Sequence, residues 1–233
     1  MKKIFVSVIV CIFSNPLVSQ DKINKNEFNI NITGFVSNYL SFGSASISNN
    51  PYLIGYKRRF KNKHAIRLGG AYFFQNTNNQ VSTNFSRSYS SISDLNYRIG
   101  YENLLKLSNK FSWFYGIDYA VSVNSFKSKS DQRFNSFGKI FNPTFISTND
   151  VKSYGGGFVA GLQWNVSKQI SFFAEARLYG FYTEETRTTN WENLSDDLKT
   201  AFPSQNFSEI KNTNFNSNFQ LSLPLDLFVV FKF

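Results

Sequence analysis

The last fifteen residues, FQLSLPLDLFVVFKF, constrain the fold more than any other stretch. Phe219, Leu221, Leu223, Leu225, Leu227, Val229, Phe231 and Phe233 fall at every second position, with Gln220, Ser222, Asp226 and Lys232 among the residues between them. A side-chain period of two is that of a strand with one apolar and one mixed face. A water-soluble fold gains nothing from ending a long strand on exposed aromatics. A strand that closes a membrane barrel presents that face to lipid, and this chain is expected to end so.

Composition narrows the choice of membrane protein. Aromatic residues make up 18% of the 233 and hydrophobic residues 42%, yet mean hydropathy is −0.28. A helical span needs about 18 or more consecutive apolar residues, and none is present. The longest apolar run is Ile4 to Phe13, preceded by Lys2 and Lys3 and followed by small residues up to Ser19. A basic end, a short apolar core and small residues form a secretory signal peptide, placed here at 1–19, with the mature domain at 20–233. Cys11 lies inside the leader, so the mature chain is expected to have neither disulfide nor thiolate chemistry. Cleavage leaves 23 basic residues against 15 acidic, a net charge of +8. The aromatics alternate along strands and do not interleave with a basic patch. Anionic lipid headgroups and lipopolysaccharide phosphates are therefore the expected partners, and nucleic acid is not.

Taken in order, the mature chain predicts eight strands. Phe28 to Val36 alternate, then Tyr52 to Phe60, then Ile66 to Phe74, with a tight turn at Lys61–His64. Ile92 to Glu102 and Phe111 to Val123 follow, the latter with the cleanest period of two. Tyr154 to Val166, Ile170 to Tyr179 and the closing stretch complete the set. Polar loops are predicted over 41–51, 75–88, 124–152 and 184–216, alternating with short turns. The fold class is thus all-β: an eight-stranded antiparallel up-and-down transmembrane β-barrel, short turns and both termini periplasmic.

A soluble lipocalin-type barrel is the competing architecture, with aromatics inward and charges outward. The charges decide between them. Lys57, Arg59, Arg67, Arg98, Arg177 and Lys232 share the mixed face with Asp94, Glu102, Asp118, Glu175 and Asp226, whereas the aromatic face carries Arg58 alone, beside a turn. A mid-bilayer charge facing lipid costs about 2–4 kcal/mol, so these groups are expected inside. The lumen of an eight-stranded barrel is only wide enough for side chains to fill. The expected interior is a plug of ion pairs: Lys57, Arg67, Arg98, Glu102, Asp118, Glu175, Arg177 and Asp226. Aromatic girdles are expected from Phe60, Phe111, Trp113, Trp164, Phe172, Phe231 and Phe233 at the short-turn side, and from Tyr39, Tyr89, Tyr154 and Tyr182 at the other.

On these features the chain resembles the small outer-membrane β-barrel proteins of Gram-negative bacteria, the OmpA- and OmpX-like class. The resemblance covers the mature chain in architecture, and its local signature is the ending Phe231-Lys232-Phe233. It implies that Phe231 and Phe233 are read by the barrel assembly machinery. The glycine usual in that strand is absent, and Pro224 and Asp226 stand there instead.

Some barrels of this membrane are lipid A deacylases, acyltransferases or proteases, with histidine-dependent sites at the outer rim. The sole histidine, His64, falls in a predicted periplasmic turn, so no catalytic role is expected. Asp118 and Glu175 are conceivable acid–base partners, but Arg and Lys neighbours favour structural pairing. Gly155-Gly156-Gly157 and Gly161 lie in a strand and open no helix, which argues for relief of crowding or for barrel curvature over phosphate cradling. No metal or cofactor site is expected. Lys127, Lys129, Arg133 and Lys139 make the 124–152 loop basic, suited either to lipopolysaccharide phosphates or to plain solvation. Trp191, Leu194, Leu198 and Phe202 are spaced for a short helix capped by Asn190 and stopped by Pro203, packing on the rim or meeting an envelope partner.

Overall fold

The structure, a computed structural model, describes residues 25–35, 52–60, 63–81, 86–136, 138–222 and 226–233. The expected leader, Tyr39, the 41–51 loop and Pro224 lie outside the described residues. Eleven strands and two short helices are present among those described.

Every large strand pairs antiparallel with its neighbours. β1 (Asn26–Asn31) pairs with β2 (Ile54–Phe60), β2 with β3 (His64–Val81), β3 with β4 (Ser86–Lys106), and β4 with β5 (Phe111–Asp131). β5 passes over the small hairpin β6 (Phe134–Ser136) and β7 (Lys139–Phe141) to pair with β8 (Thr144–Asn165), and β8 pairs with β9 (Ile170–Glu192). β9 then meets both β10 (Ile210–Ser222) and β11 (Leu227–Lys232), and β11 returns to β1. The sheet has nine strands. Because β10 and β11 share one place beside β9, the circuit β1-β2-β3-β4-β5-β8-β9-β11 closes on itself with eight. At the short-turn end Asn26 and Phe233 exchange backbone hydrogen bonds of 3.1 and 2.9 Å.

Among the described residues the closing stretch contributes two strands, β10 ending at Ser222 and β11 beginning at Leu227. Ser222 stands opposite Arg177 and Leu227 opposite Ala174, so β9 uses two residues where the closing segment uses four. Pro224 has no N–H to give to a ladder. The two extra residues keep the parity, whereas one would turn every later side chain to the other face. Leu221 and Leu227 accordingly both remain outward and exposed.

β1 is shorter than its alternation implies for the same reason. It stops at Asn31, opposite Phe228, where its partner's ladder ends. The chain turns into α1 (Ile32–Phe35), and the Leu227 N–H donates to Thr33 Oγ1 at 3.0 Å in place of a strand carbonyl.

The polar stretches read as loops are largely strand. β3, β4, β5, β8 and β9 run 18, 21, 21, 22 and 23 residues, far beyond their apolar sections. Gln75 to Val81 pairs with β4, Asn124 to Asp131 with Thr144 to Val151, and Thr183 to Glu192 with β8. A ladder needs only backbone N–H and C=O groups. With no apolar face to bury, these segments carry no period in their side chains. The Trp191 helix is also corrected. Trp191 belongs to β9 opposite Phe145, and Asn190 is held opposite Ile146. The helix is α2 (Asp196–Ala201), whose N-cap is Ser195: its Oγ accepts the Leu198 N–H at 3.2 Å, and Phe202 caps the other end. Leu198 is buried, and Phe134, Phe145, Trp191, Phe202 and Phe207 form an edge-to-face cluster near it, with centroids 5.0–6.2 Å apart.

The polarity of the ring is inverted relative to a soluble fold. In the half nearer the short turns, the outward face carries Ile54, Phe60, Ile66, Leu68, Tyr72, Phe74, Tyr97, Ile99, Trp113, Ile117, Phe158, Leu178, Phe219 and Phe231, all exposed. Among the described residues of this belt Arg58 is the only charge, two positions from the end of β2. A membrane strand needs about 9–11 residues, the length from Phe111 to Val121. Tyr154 and Tyr182 face each other at the upper edge of the belt. Tyr89 does not join them: it lies farther along, opposite Lys129, and donates to Asn76.

Candidate functional site

The interior of the ring at belt height is filled by charge. Ten charged side chains are buried among the described residues: Lys57, Arg59, Arg67, Arg98 and Arg177 against Glu27, Glu102, Asp118, Glu175 and Asp226. Alternation puts nine of them there, each at an inward position of its strand, and Asp226 lies just before β11. Room comes from glycine on the neighbouring strand. Arg67 faces Gly100, Arg98 faces Gly69, Glu102 faces Gly116, Asp118 faces both Gly100 and Gly157, and Glu175 faces Gly161. A Cβ on Gly100 would sit 1.8 Å from Asp118 Oδ1. At Gly69 and Gly100 a Cβ would meet the Arg98 and Asp118 side chains, so these two glycines clear space for the charged groups, whereas Gly116, Gly157 and Gly161 allow close approach of backbone.

Arg67 is the hub. Its Nη1 donates to Glu102 Oε2 at 3.2 Å, its Nε stands 3.3 Å from Asp118 Oδ1, and its Nη2 is closely paired with Glu175 Oε2. These three carboxylates come from β4, β5 and β9, so one guanidinium ties together opposite walls. Above it Arg98 Nη1 reaches Glu175 at 2.5 Å and Asp118 at 3.4 Å, and Tyr179 donates to Asp118 Oδ2 at 2.5 Å. Tyr52 lies under the Arg98 guanidinium at 4.5 Å and the Arg177 guanidinium at 5.5 Å. Below the hub, Lys57 donates to Glu102 at 2.8 Å and sits 4.6 and 4.5 Å from the Phe114 and Phe173 ring centres. At the bottom Arg59 grips Glu27 through Nε at 2.6 Å and Nη2 at 3.0 Å, and also meets Glu102 at 3.2 Å.

The structure therefore brings Lys57, Arg67, Arg98, Glu102, Asp118 and Glu175 into one contiguous network. Arg177 stacks on Tyr52 and Tyr179 at its edge, and Asp226 is buried at the head of β11. Buried charges are tolerable only when paired and hydrogen-bonded; the charges balance five against five, and eight of the ten stand in ion pairs with one another. Asp118 and Glu175 are both engaged by arginines, which leaves neither poised as a general base.

Two parts of this interior were missed from sequence. Glu27 lies two residues before Asn29, on the same inward parity, and extending the first strand by one step finds it. The second part is apolar: Phe114, Phe173, Phe228 and Val230 pack together at the lower end, Phe173 stacked on Phe228 at 4.4 Å. These residues occupy the mixed face, where an isolated aromatic gives no signal that it meets others across the ring.

The remaining candidates are dispersed. His64 Nδ1 lies 2.6 Å from the Tyr101 hydroxyl, with the rings stacked. Lys129 pairs with Glu192 and Lys139 with Asp197, each at 3.2 Å, on the exposed far half. Lys127 and Arg133 are exposed there, and Trp191 belongs to the aromatic cluster. Among the described residues no group of three or more His, Cys, Asp or Glu is placed to hold a metal.

No protein-family model matches the chain, and no curated protein matches it. Among solved structures, the crystal structure of Acinetobacter baumannii CarO aligns at a TM-score of 0.34 and 10% identity, over 93% of this chain and 100% of that one. That of Acinetobacter baumannii CarO2 aligns at 0.34 and 9%, over 90% and 97%.

Proposed function

We propose that the chain is an outer-membrane β-barrel of a Gram-negative bacterium with a lumen closed by its own side chains. The observation that carries this reading is the inverted polarity of the sheet, with ten buried charges inside and an apolar belt outside. In water the belt would forfeit about 25 cal/mol per Å² of apolar surface, whereas lipid removes that cost. In this reading residues 1–19 direct export, the short turns and both ends of the chain face the periplasm, and the long polar half projects outward. The protein works without catalysis, in envelope integrity, in surface contact or as a subunit of a larger envelope or secretion complex. Its partners are outer-membrane lipid, lipopolysaccharide phosphates near Lys127 and Arg133, and the barrel assembly machinery acting on Phe231 and Phe233.

The test is membrane fractionation of the full chain, with heat-dependent mobility on a detergent gel, followed by planar-bilayer recording. The expected result is a heat-modifiable outer-membrane protein without steady conductance. A soluble fraction would overturn the membrane placement. Steady open levels would replace the plugged lumen with a pore for small solutes. Deleting Phe233 is expected to lower the folded fraction before any other property changes.

A further inference from the structure

The short-turn end of the ring opens into a cavity of about 710 Å³ whose lining is strongly cationic. Its rim gathers Lys63 from the β2–β3 turn, Lys106 from the end of β4, Lys110 from the β4–β5 turn, and Lys168 from the β8–β9 turn; Lys232 and Arg59 lie deeper. Six cations thus converge on one mouth with a single lining carboxylate, Glu27, and Arg59 already holds that carboxylate with two hydrogen bonds. Lys63, Lys106 and Lys110 have no ion pair among the described residues. At the other end of the ring three of the lysines are paired with carboxylates: Lys129 with Glu192, Lys139 with Asp197, Lys199 with Asp196. The plug directly above the mouth is neutral, so nothing there offsets the excess.

A second observation lies at the floor. The Arg59 side chain is only 6% exposed, and its Nη1 makes no hydrogen bond among the described residues. A buried, unused guanidinium donor is costly unless a partner approaches it. Like charges converging on a concave, partly desolvated mouth raise the local concentration of anions. A cavity of several hundred Å³ is of the size that holds a small ligand, and of the residues around this one only Leu104 and Val166 are apolar.

We infer that this mouth is a binding site for a small polyanion carrying at least two phosphate-type charges. Lysine ammonium groups suit that chemistry as mobile point charges. The ligand is either a soluble oligophosphate entering along the ring axis or the headgroup of an anionic phospholipid at the barrel's edge. The inference uses the ring end alone, so its failure would leave the membrane reading standing.

The test uses the full folded protein in zwitterionic detergent, titrated calorimetrically with inorganic pyrophosphate at low salt. The rim variant is Lys63→Gln/Lys106→Gln/Lys110→Gln, all exposed positions, with folding checked by heat-modifiable mobility. The control removes three exposed charges from the far half: Lys152→Gln/Arg187→Gln/Lys211→Gln. One saturable site, weakened about tenfold or more in the rim variant and by high salt but kept in the control, supports the site. A parallel titration in nanodiscs with and without phosphatidylglycerol identifies the source. Loss of pyrophosphate binding only with phosphatidylglycerol present assigns the site to a headgroup, and binding unaffected by that lipid assigns it to a soluble ligand. Absence of saturable binding, or equal loss in rim and control variants, overturns the inference.

Discussion

The two halves of the ring are built from the same antiparallel ladders, yet they are held by different forces. In the half nearer the short turns the strands turn an apolar face outward, and the interior holds the paired charges together with a small apolar cluster. The far half is mostly polar apart from the aromatic cluster around Trp191, and its ion pairs are exposed: Lys129 and Glu192 are 36% and 51% accessible, Lys139 and Asp197 70% and 69%. Backbone pairing is continuous across the boundary, so the ladder itself does not distinguish the halves. The contrast is that the near half separates an apolar outward face from a polar interior, while the far half makes no such separation along its length.

The sharpest test of the near half is Arg67→Met. It strands Glu102, Asp118 and Glu175 without their shared cation and is expected to destabilise the folded barrel by about 3–5 kcal/mol, read from urea unfolding in lipid vesicles. A loss below about 1 kcal/mol would mean that the three carboxylates re-pair without it.

Next comes a matched pair of outward substitutions. Ile117→Arg, in the middle of the belt, is expected to cost about 2–4 kcal/mol. Thr213→Arg, on the polar part of β10, is expected to stay within about 0.5 kcal/mol of the parent. Equal effects in the same vesicles would erase the distinction between the halves.

Gly100→Ala probes the space rather than the charge. Its Cβ would fall 1.8 Å from Asp118 Oδ1 and 2.5 Å from the Ile117 carbonyl oxygen, so Asp118 and the local ladder must shift. Overpacking of this kind costs about 1–3 kcal/mol, seen as a lower urea midpoint. The smallest effect belongs to the far half. Lys129→Ala removes an exposed partner of Glu192 and is expected to change stability by less than about 1 kcal/mol, a change that salt should reduce further.

Legibility in the sequence follows the same division. Strand count and the inward charges were readable wherever an apolar face alternated with a polar one, as in Phe111 to Val123. Gln75 to Val81 and Thr183 to Glu192 read as loops because nothing in an Asn-, Ser- and Thr-rich ladder marks a face. Trp191 read as helical because Leu194, Leu198 and Phe202 follow at near-helical spacing; the pairing of Asn190 with Ile146 overrode that pattern. Of the candidate site, each member's side of the sheet was readable, but not its partner. Arg67 is separated from Glu175 by more than one hundred residues, and only ring closure makes them neighbours.

By itself, then, the sequence determined the period of two, the sign of charge on each face and the apolar stripe of the closing segment. These are local properties, set residue by residue by what each face must touch. The tertiary structure decided the rest. It set the shift of register between Ser222 and Leu227, the length of the far ladders, the Arg67 hub and the gathering of lysines from three turns at one mouth. Those depend on register and closure, which sum over all the strands at once. No single stretch, FQLSLPLDLFVVFKF included, carries that sum.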